Sequence, residues 1–450
     1  MNFASEYPLK IVVVGGGAAG MAAAASARRV NPTAEITVLE ASKHVSYGSC
    51  GIPYYLGGLV DDVSKLVTYT PEEFRKSRKV EVLTNSYVKN ISVSSKKVVY
   101  VSEKGDEKEI GFDTLVLATG ARPAVPKIEG LGLNGVYTVR FLDGAVKLKE
   151  DLARSKRVTI IGAGYIGLEL AENFKRVGKE VTVIELLPRP MPNIDPELAE
   201  IISRELKKNG VRLELNKRVI GFKGSGRVEK VVTEDAEYET DLAIIAVGVK
   251  PNVSLARQIG VELGESGAIK TNSRMETSVK GVFAAGDNSE ANHMVLNRPV
   301  YIPLAQTANK MGYVAGANAA GGSEEFPGVV GSAITRVFDL EIGRTGLGEE
   351  DAKKYGVETK SVLIKARSRA GYYPDGREIW VKLILEKSSN VIVGGQIVGY
   401  EGVWGRIAAL TLAITNRFNS KQLVFTDLPY APPFNPVWDP LIVAARISLR

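Results

Sequence analysis

Two short segments decide what this chain can fold into. The first is Ile11-Val-Val-Val-Gly15-Gly16-Gly17-Ala18-Ala19-Gly20, and the second is Val158-Thr-Ile-Ile-Gly162-Ala163-Gly164-Tyr165-Ile166-Gly167. In each, an apolar strand runs into G-x-G-x-x-G and then into a run of helix-forming residues. Each is followed by a second apolar strand that ends on an acid: Ile36-Thr-Val-Leu-Glu40 and Val181-Thr-Val-Ile-Glu185. A glycine loop lets backbone approach a pyrophosphate and aims a helix N-terminus at it. An acid about 20 residues further on suits the ribose hydroxyls. One copy is a weak signal, but two copies in the same order imply two dinucleotide sites and electron transfer between two cofactors. The pattern predicts an α/β fold built on two Rossmann-like domains.

The 450 residues leave room for about three domains. A helix is expected from about Ala18 to Arg29, and β-like alternation from about residue 80 to 117, ending at Asp113-Thr-Leu-Val-Leu-Ala-Thr-Gly120. The second unit ends in the same way, at Asp241-Leu-Ala-Ile-Ile-Ala-Val-Gly248. Residues 1–120 and 150–250 therefore look like an internal duplication. Gly281-Val-Phe-Ala-Ala-Gly-Asp287 is one more buried strand with an acid at its tip. Beyond Gly321-Gly322 and Pro327-Gly328 there is no glycine fingerprint. That region mixes strands such as Glu378–Leu385 with a helix near 403–416 carrying Trp404, Ile407, Ala408 and Leu412, the pattern of an α+β interface domain. The divisions expected are 1–120 with 251–325, then 121–250, then 326–450.

The net charge of +7 is scattered, with short clusters such as Arg75-Lys76-Ser77-Arg78-Lys79 and no basic arm. Nucleic acid is not an expected partner. Ile11 to Ala27 is uncharged but too short for a comfortable membrane span, is broken by glycines, and follows Glu6 rather than a basic segment. Cys50 is the only cysteine, so no disulfide can form within the chain and it must pair with something from outside. A single thiol fits a reducing cytoplasm. Two histidines leave little material for a metal site.

Ala118-Thr119-Gly120-Ala-Arg-Pro123 and Ala284-Ala-Gly-Asp287 complete the set. With both fingerprints, they make the whole chain resemble the two-domain FAD-dependent pyridine nucleotide-disulfide oxidoreductases. The resemblance implies that FAD is held by Gly15, Gly17, Ala18, Gly20, Glu40, Ala118, Thr119, Gly120, Asp287 and Ala305. It implies that NADH or NADPH is held by Gly162, Gly164, Tyr165, Ile166, Gly167, Glu185 and Gly248, and that the last domain forms a homodimer. A helix starting at Pro303 would point its positive end at the flavin. Glu185 favours the free 2′-hydroxyl of NADH, although Arg189 could accommodate a 2′-phosphate.

The surroundings of Cys50, Ser46-Tyr-Gly-Ser-Cys50-Gly-Ile-Pro-Tyr-Tyr55, resemble the single-cysteine branch of that family. Its members are coenzyme A-disulfide reductases, NADH oxidases and peroxidases, and sulfur or persulfide reductases. A thiol at a helix N-terminus is expected to have a lowered pKa. Peroxidases and many oxidases of the branch carry a histidine where this chain has Ala18. The resemblance to coenzyme A-dependent members implies a coenzyme A grip from Arg29, Ser46 and Phe74, with Arg75 or Lys76 adding charge. It also implies that Tyr372 and Tyr430 stand beside the partner subunit's cysteine. The activity implied is hydride transfer from NAD(P)H via FAD to a Cys50–coenzyme A mixed disulfide, reducing CoA-disulfide, CoA-persulfide or polysulfide sulfur. A rhodanese-like extension would mark the persulfide-specialised forms, and none is expected here. The alternatives are an NADH oxidase cycling Cys50 through sulfenic acid, and a redox-sensing flavoprotein that acts on a protein partner.

Overall fold

The computed structural model describes residues 7–450, so Glu6 lies outside the described residues. Two five-stranded parallel sheets repeat one arrangement. In the first, the order is Val282–Ala284, Thr114–Leu117, Lys10–Val14, Glu35–Leu39, Glu81–Leu83. In the second, it is Arg212–Glu214, Glu180–Ile184, Arg157–Ile161, Leu242–Ile245, Val136–Thr138. In both, the strand that enters the glycine loop lies between the strand that ends before the acid and the strand that closes the unit. The strands are continuous apolar runs because helices or further sheets cover both faces. The alternation read over residues 80–117 is not one ladder. Tyr87–Ser92, Lys97–Val101 and Glu107–Gly111 form a separate antiparallel meander, and Val219–Lys223, Lys230–Thr233 and Glu237–Glu239 repeat it in the second unit.

The glycine loops explain the local geometry. Gly15 and Gly162 have φ of 110° and 104°, where a side chain is strained. A Cβ on Gly20 would stand 1.8 Å from the Gly15 carbonyl oxygen, and one on Gly167 would stand 2.0 Å from that of Gly162. These outer glycines are needed so that helices Ala18–Val30 and Tyr165–Arg176 can start hard against their strands. The long helix Ala305–Ala319 then packs on Ala18–Val30 through Gly312 and Gly316, where a Cβ would fall on the backbone of Ala19 and Ala23. That helix begins at Ala305, two residues after the expected Pro303, because Leu304 still has extended backbone.

The third sheet is antiparallel, in the order Ala333–Val337, Leu340–Gly346, Ile392–Gly399, Glu378–Glu386, Thr359–Arg367. Helices Val403–Thr415 and Pro440–Ser448 cover it over a core of Ile379, Val381, Leu383, Ile397, Leu410 and Leu441. One buried cation fastens this layer to the second parallel unit. Lys382, 1% exposed, places Nζ 2.8 Å from Asp195 and 3.1 Å from Glu349, and it also pairs with Glu197. The backbone N–H of Asp195 donates to Gln396 at 2.8 Å. No helix among the described residues is long and apolar enough to cross a membrane.

Candidate active site

Both loops keep an open place for a ligand at the middle glycine. A Cβ added to Gly17 or Gly164 would meet nothing within 4 Å, in contrast to the outer glycines. This is the division of labour a pyrophosphate cradle requires: outer glycines close-packed, the middle one leaving room for the phosphates. The acids reach back to the same loops. Glu40 accepts from the N–H groups of Gly16 at 2.7 Å and Ser42 at 2.8 Å. Glu185 accepts from Ala163 at 2.7 Å and Leu187 at 2.9 Å.

Around the first loop, Ala118 turns its carbonyl toward Gly15, and Gly120 takes a positive φ of 62°. Thr119 Oγ1 donates to Asn252 O at 2.6 Å and lies 3.1 Å from Asn288 Nδ2. Asp287 pairs with Arg140, Nη2 to Oδ2 2.8 Å, and its carbonyl accepts from the Tyr301 hydroxyl at 2.9 Å. Ser46, at φ 49°, donates its N–H to Gly16 O at 2.9 Å, which ties the cysteine-bearing segment to the first loop.

A cleft of about 1370 Å³ collects the second set of expected residues around the thiol. Cys50 and Tyr54 line it together with Gly162, Gly164, Tyr165 and Ile166, and so do Glu185 and Gly248. Ala305, at the first turn of its helix, lines the same space, as do Ser332 just before the third sheet, Ile334 within it and Trp404 on its helix. Gly15, Gly17 and Glu40 do not line this cleft. The geometry thus places one exposed thiol at a meeting point of a dinucleotide loop and a helix N-terminus.

The thiol is not tuned as the sequence reading expected. Cys50 lies in a 3-10 turn, Ser49–Gly51, before a helix of only five residues, Ile52–Leu56. Its pKa is raised, first because the cleft walls withdraw it from water and second because the Glu169 carboxylate faces it; Arg140 acts in the opposite direction. Glu169 is itself raised by desolvation, against the hydrogen bond it accepts from Thr335 Oγ1 at 2.9 Å. Neither Arg140 nor Glu169 was legible as a site residue, although Glu169 sits two positions after Gly167 on a helix already assigned to the site.

The residues expected to grip coenzyme A are unequally available. Arg29 is exposed, with its guanidinium 5.6 Å from the Tyr313 ring, while its neighbour Arg28 is spent on the carbonyls of Arg78, Pro32 and Lys79. Phe74 is 3% exposed, packed edge-on to Tyr69 beneath Arg78. As it stands that ring is core, and its apolar bulk at the only inward position of helix Pro71–Arg78 explains why. Arg75 makes a two-pronged pair with Glu81, and Lys76 pairs with Glu72 one helical turn away. Tyr372 and Tyr430 meet hydroxyl to hydroxyl at 2.9 Å on the outside of the third sheet, and neither lines their own protomer's cleft.

Residues 9–312 match the pyridine nucleotide-disulphide oxidoreductase family, and residues 332–441 match the dimerisation domain of that family. The chain is 46% identical over 441 residues to an NAD(P)H sulfur oxidoreductase (CoA-dependent) of Pyrococcus furiosus, covering 97% of this chain and 98% of that one. It is 37% identical over 445 residues to an NADH oxidase of Methanocaldococcus jannaschii, covering 98% and 99%. A solved NAD-dependent persulfide reductase from A. fulgidus superposes with a TM-score of 0.96 at 40% identity, over 98% of this chain and 83% of that one. With both cofactor loops, the exposed cysteine and the C-terminal sheet accounted for, the chain belongs to the pyridine nucleotide-disulphide oxidoreductase family.

Proposed function

We propose that this enzyme uses NADH or NADPH, through FAD, to reduce a sulfur–sulfur bond that involves coenzyme A, in a CoA disulfide, persulfide or polysulfide. The observation that carries the reading is the lone exposed Cys50 in the cleft that also holds the second glycine loop and Ala305. It agrees with the CoA-dependent sulfur oxidoreductase named above at 46% identity. The first loop, Glu40 and Asp287 would hold FAD, which would supply a two-electron relay between the nicotinamide and sulfur.

Gly164 leaves room for the nicotinamide nucleotide's pyrophosphate and Glu185 orders its loop. Cys50, as thiolate, attacks one sulfur of CoA-S-S-CoA and releases one CoA thiolate, leaving a Cys50–CoA mixed disulfide. Two electrons break that bond, returning the Cys50 thiolate and a second CoA thiolate. Arg140 favours the thiolate, and the Glu169 carboxylate, which lines the same cleft, opposes it. The active enzyme is a homodimer through the C-terminal sheet. We place it in the cytoplasm, where a free thiol persists.

The intact mass of the purified protein tests this reading. It is expected to exceed the chain mass by coenzyme A in disulfide linkage, and dithiothreitol or Cys50→Ser should remove the increment. Cys50→Ser should keep its yellow colour and its reduction by NADH while losing CoA-disulfide turnover by orders of magnitude. Undiminished turnover would refute the assignment. Under air without disulfide, NADH consumption should be slow and release peroxide. Fast reduction of oxygen to water would instead place the enzyme with the NADH oxidases.

A further inference from the structure

NADH and NADPH differ only by a phosphate on the adenosine 2′-oxygen, so discrimination must occur beside the acid that closes the second unit. Arginine in the loop after that acid is the obvious reader, but Arg189 is occupied. Its Nε donates to Ile194 O at 3.1 Å, and its Nη2 donates to Pro192 O at 3.0 Å and pairs with Glu350 at 2.6 Å. It is 16% exposed and does not line the cleft.

Besides Arg140 near the thiol, two cations line the cleft, and both stand beside this acid. The turn after strand Arg212–Glu214 lies directly against the acid's own loop: the Asn216 N–H donates to Leu187 O at 3.2 Å, and the Lys217 N–H donates to Glu185 O at 3.0 Å. Lys217 and Arg218 share the cleft wall with Glu185, Leu186 and Leu187. Lys217 pairs with Asp235, and Arg218 Nε lies 3.4 Å from Glu234. Those carboxylates belong to the hairpin turn between Lys230–Thr233 and Glu237–Glu239, and they are 55% and 64% exposed. Exposed pairs of this kind contribute little, so a dianionic phosphate can displace them at small cost. Glu185 is the expected source of repulsion, but it is 7% exposed and both its oxygens already accept backbone N–H groups. Its oxygens are thus held by backbone N–H groups.

We propose that Lys217 and Arg218 receive the 2′-phosphate of NADPH, so that this chain accepts both dinucleotides. The inference rests on the second glycine loop being the nicotinamide nucleotide site.

Calorimetric binding of adenosine 2′,5′-bisphosphate and of AMP to the yellow enzyme separates the two readings. The wild type should bind the bisphosphate more tightly than AMP, with an affinity that falls as salt rises. In Lys217→Ala/Arg218→Ala the bisphosphate should lose about ten- to a hundredfold, and kcat/KM for NADPH relative to NADH should fall by a similar factor. Lys217→Arg should restore part of the loss. Unchanged bisphosphate affinity in the double variant, or loss in Arg189→Ala instead, would overturn the proposal. Failure of the wild type to bind either nucleotide would instead refute the placement of the nicotinamide site.

Discussion

Arg140 and Asp287 are joined across two units of the fold, with Nη2 2.8 Å from Oδ2 and side chains 23% and 15% exposed. Asp287 stands just past strand Val282–Ala284 of the first sheet, and Arg140 stands just before helix Leu142–Arg154. The same guanidinium lines the Cys50 cleft and is the cation that offsets Glu169 at the thiol. Arg140 therefore holds an expected flavin-binding acid and the reactive sulfur in one electrostatic unit.

Opposite changes at Cys50 are expected from its two charged neighbours. Arg140→Met removes the group that lowers the thiol, so the pKa rises further and alkylation at neutral pH slows. Glu169→Gln removes a carboxylate that raises it, so alkylation quickens. A change of one pKa unit alters the thiolate fraction about tenfold on the acid side of the titration. Iodoacetamide rates of the coenzyme A-free enzyme across pH 6–10 would show both displacements. A shift in the same direction for both variants would contradict the electrostatic assignment.

His293 carries an acid-sensitive part of the stability. It is 4% exposed, and its Nδ1 accepts from the N–H groups of Val295 at 3.3 Å and Leu296 at 3.4 Å, which only the neutral ring can do. Burial lowers its pKa to about 4. In the unfolded chain the ring takes up a proton near its ordinary value of about 6.5, so the unfolded state binds more protons between these limits. Stability is fully present above that range and is lost as pH falls toward 4, by up to about 3 kcal/mol. Asn at this position keeps an acceptor that does not titrate. His293→Asn should flatten the fall in Tm between pH 6.5 and 4; an unaltered profile would place the acid sensitivity elsewhere.

The middle glycines should affect ligands and the outer glycines folding. At Gly17 and Gly164 an added Cβ meets nothing within 4 Å, so Val should intrude on the expected phosphate cradle rather than on the protein. Gly17→Val should be folded and colourless. Gly164→Val should be yellow and unreduced by NADH. At Gly20 a Cβ would lie 1.8 Å from backbone, so Gly20→Ala should lower soluble yield before cofactor content can be measured. Flavin absorbance and Tm on all three distinguish these outcomes, and a colourless Gly164→Val beside a yellow Gly17→Val would interchange the two sites.

What could be read in advance divides by range. The strand–glycine–helix units and their acids are local, each within about 30 residues, and the backbone geometry that needs glycine is written at the positions where it acts. Cys50 was legible because it has no alternative partner in the chain. Arg140, Glu169 and Thr335 come from three segments that meet only when both units and the third sheet are in place, so no spacing announces them. The Lys382 cluster likewise joins Asp195, Glu197 and Glu349 from far apart in the chain. Phe74, which the resemblance offers as a coenzyme A contact, is 3% exposed, and that burial depends on what lies beneath its helix rather than on local spacing. The direction of the thiol's shift is not legible because a helix N-terminus is visible in sequence, whereas withdrawal from water in the cleft and the facing Glu169 carboxylate are not.

Tyr372 and Tyr430 make the last prediction. Their hydroxyls are 2.9 Å apart and the phenols are 77% and 42% exposed, so one can donate to the other while the second proton remains free for a substrate thiolate. Neither lines the cleft of its own protomer. If they act in catalysis, they act on the cleft of the other subunit, which a two-fold dimer permits. A hydrogen bond to a charged sulfur contributes about 1.5–3 kcal/mol, so Tyr372→Phe or Tyr430→Phe should slow the disulfide step by about ten- to a hundredfold, with flavin reduction little changed. Because the phenols form one pair, the double variant should cost little more than either single one. A mixed dimer settles the arrangement. Pairing a Cys50→Ser subunit with a Tyr372→Phe/Tyr430→Phe subunit leaves one cysteine facing two intact tyrosines if they serve in trans, and the purified heterodimer, with one intact site of two, should show about half the wild-type activity. If they serve in cis, the only cysteine faces two phenylalanines, and a heterodimer no more active than the tyrosine variant would exclude the trans arrangement.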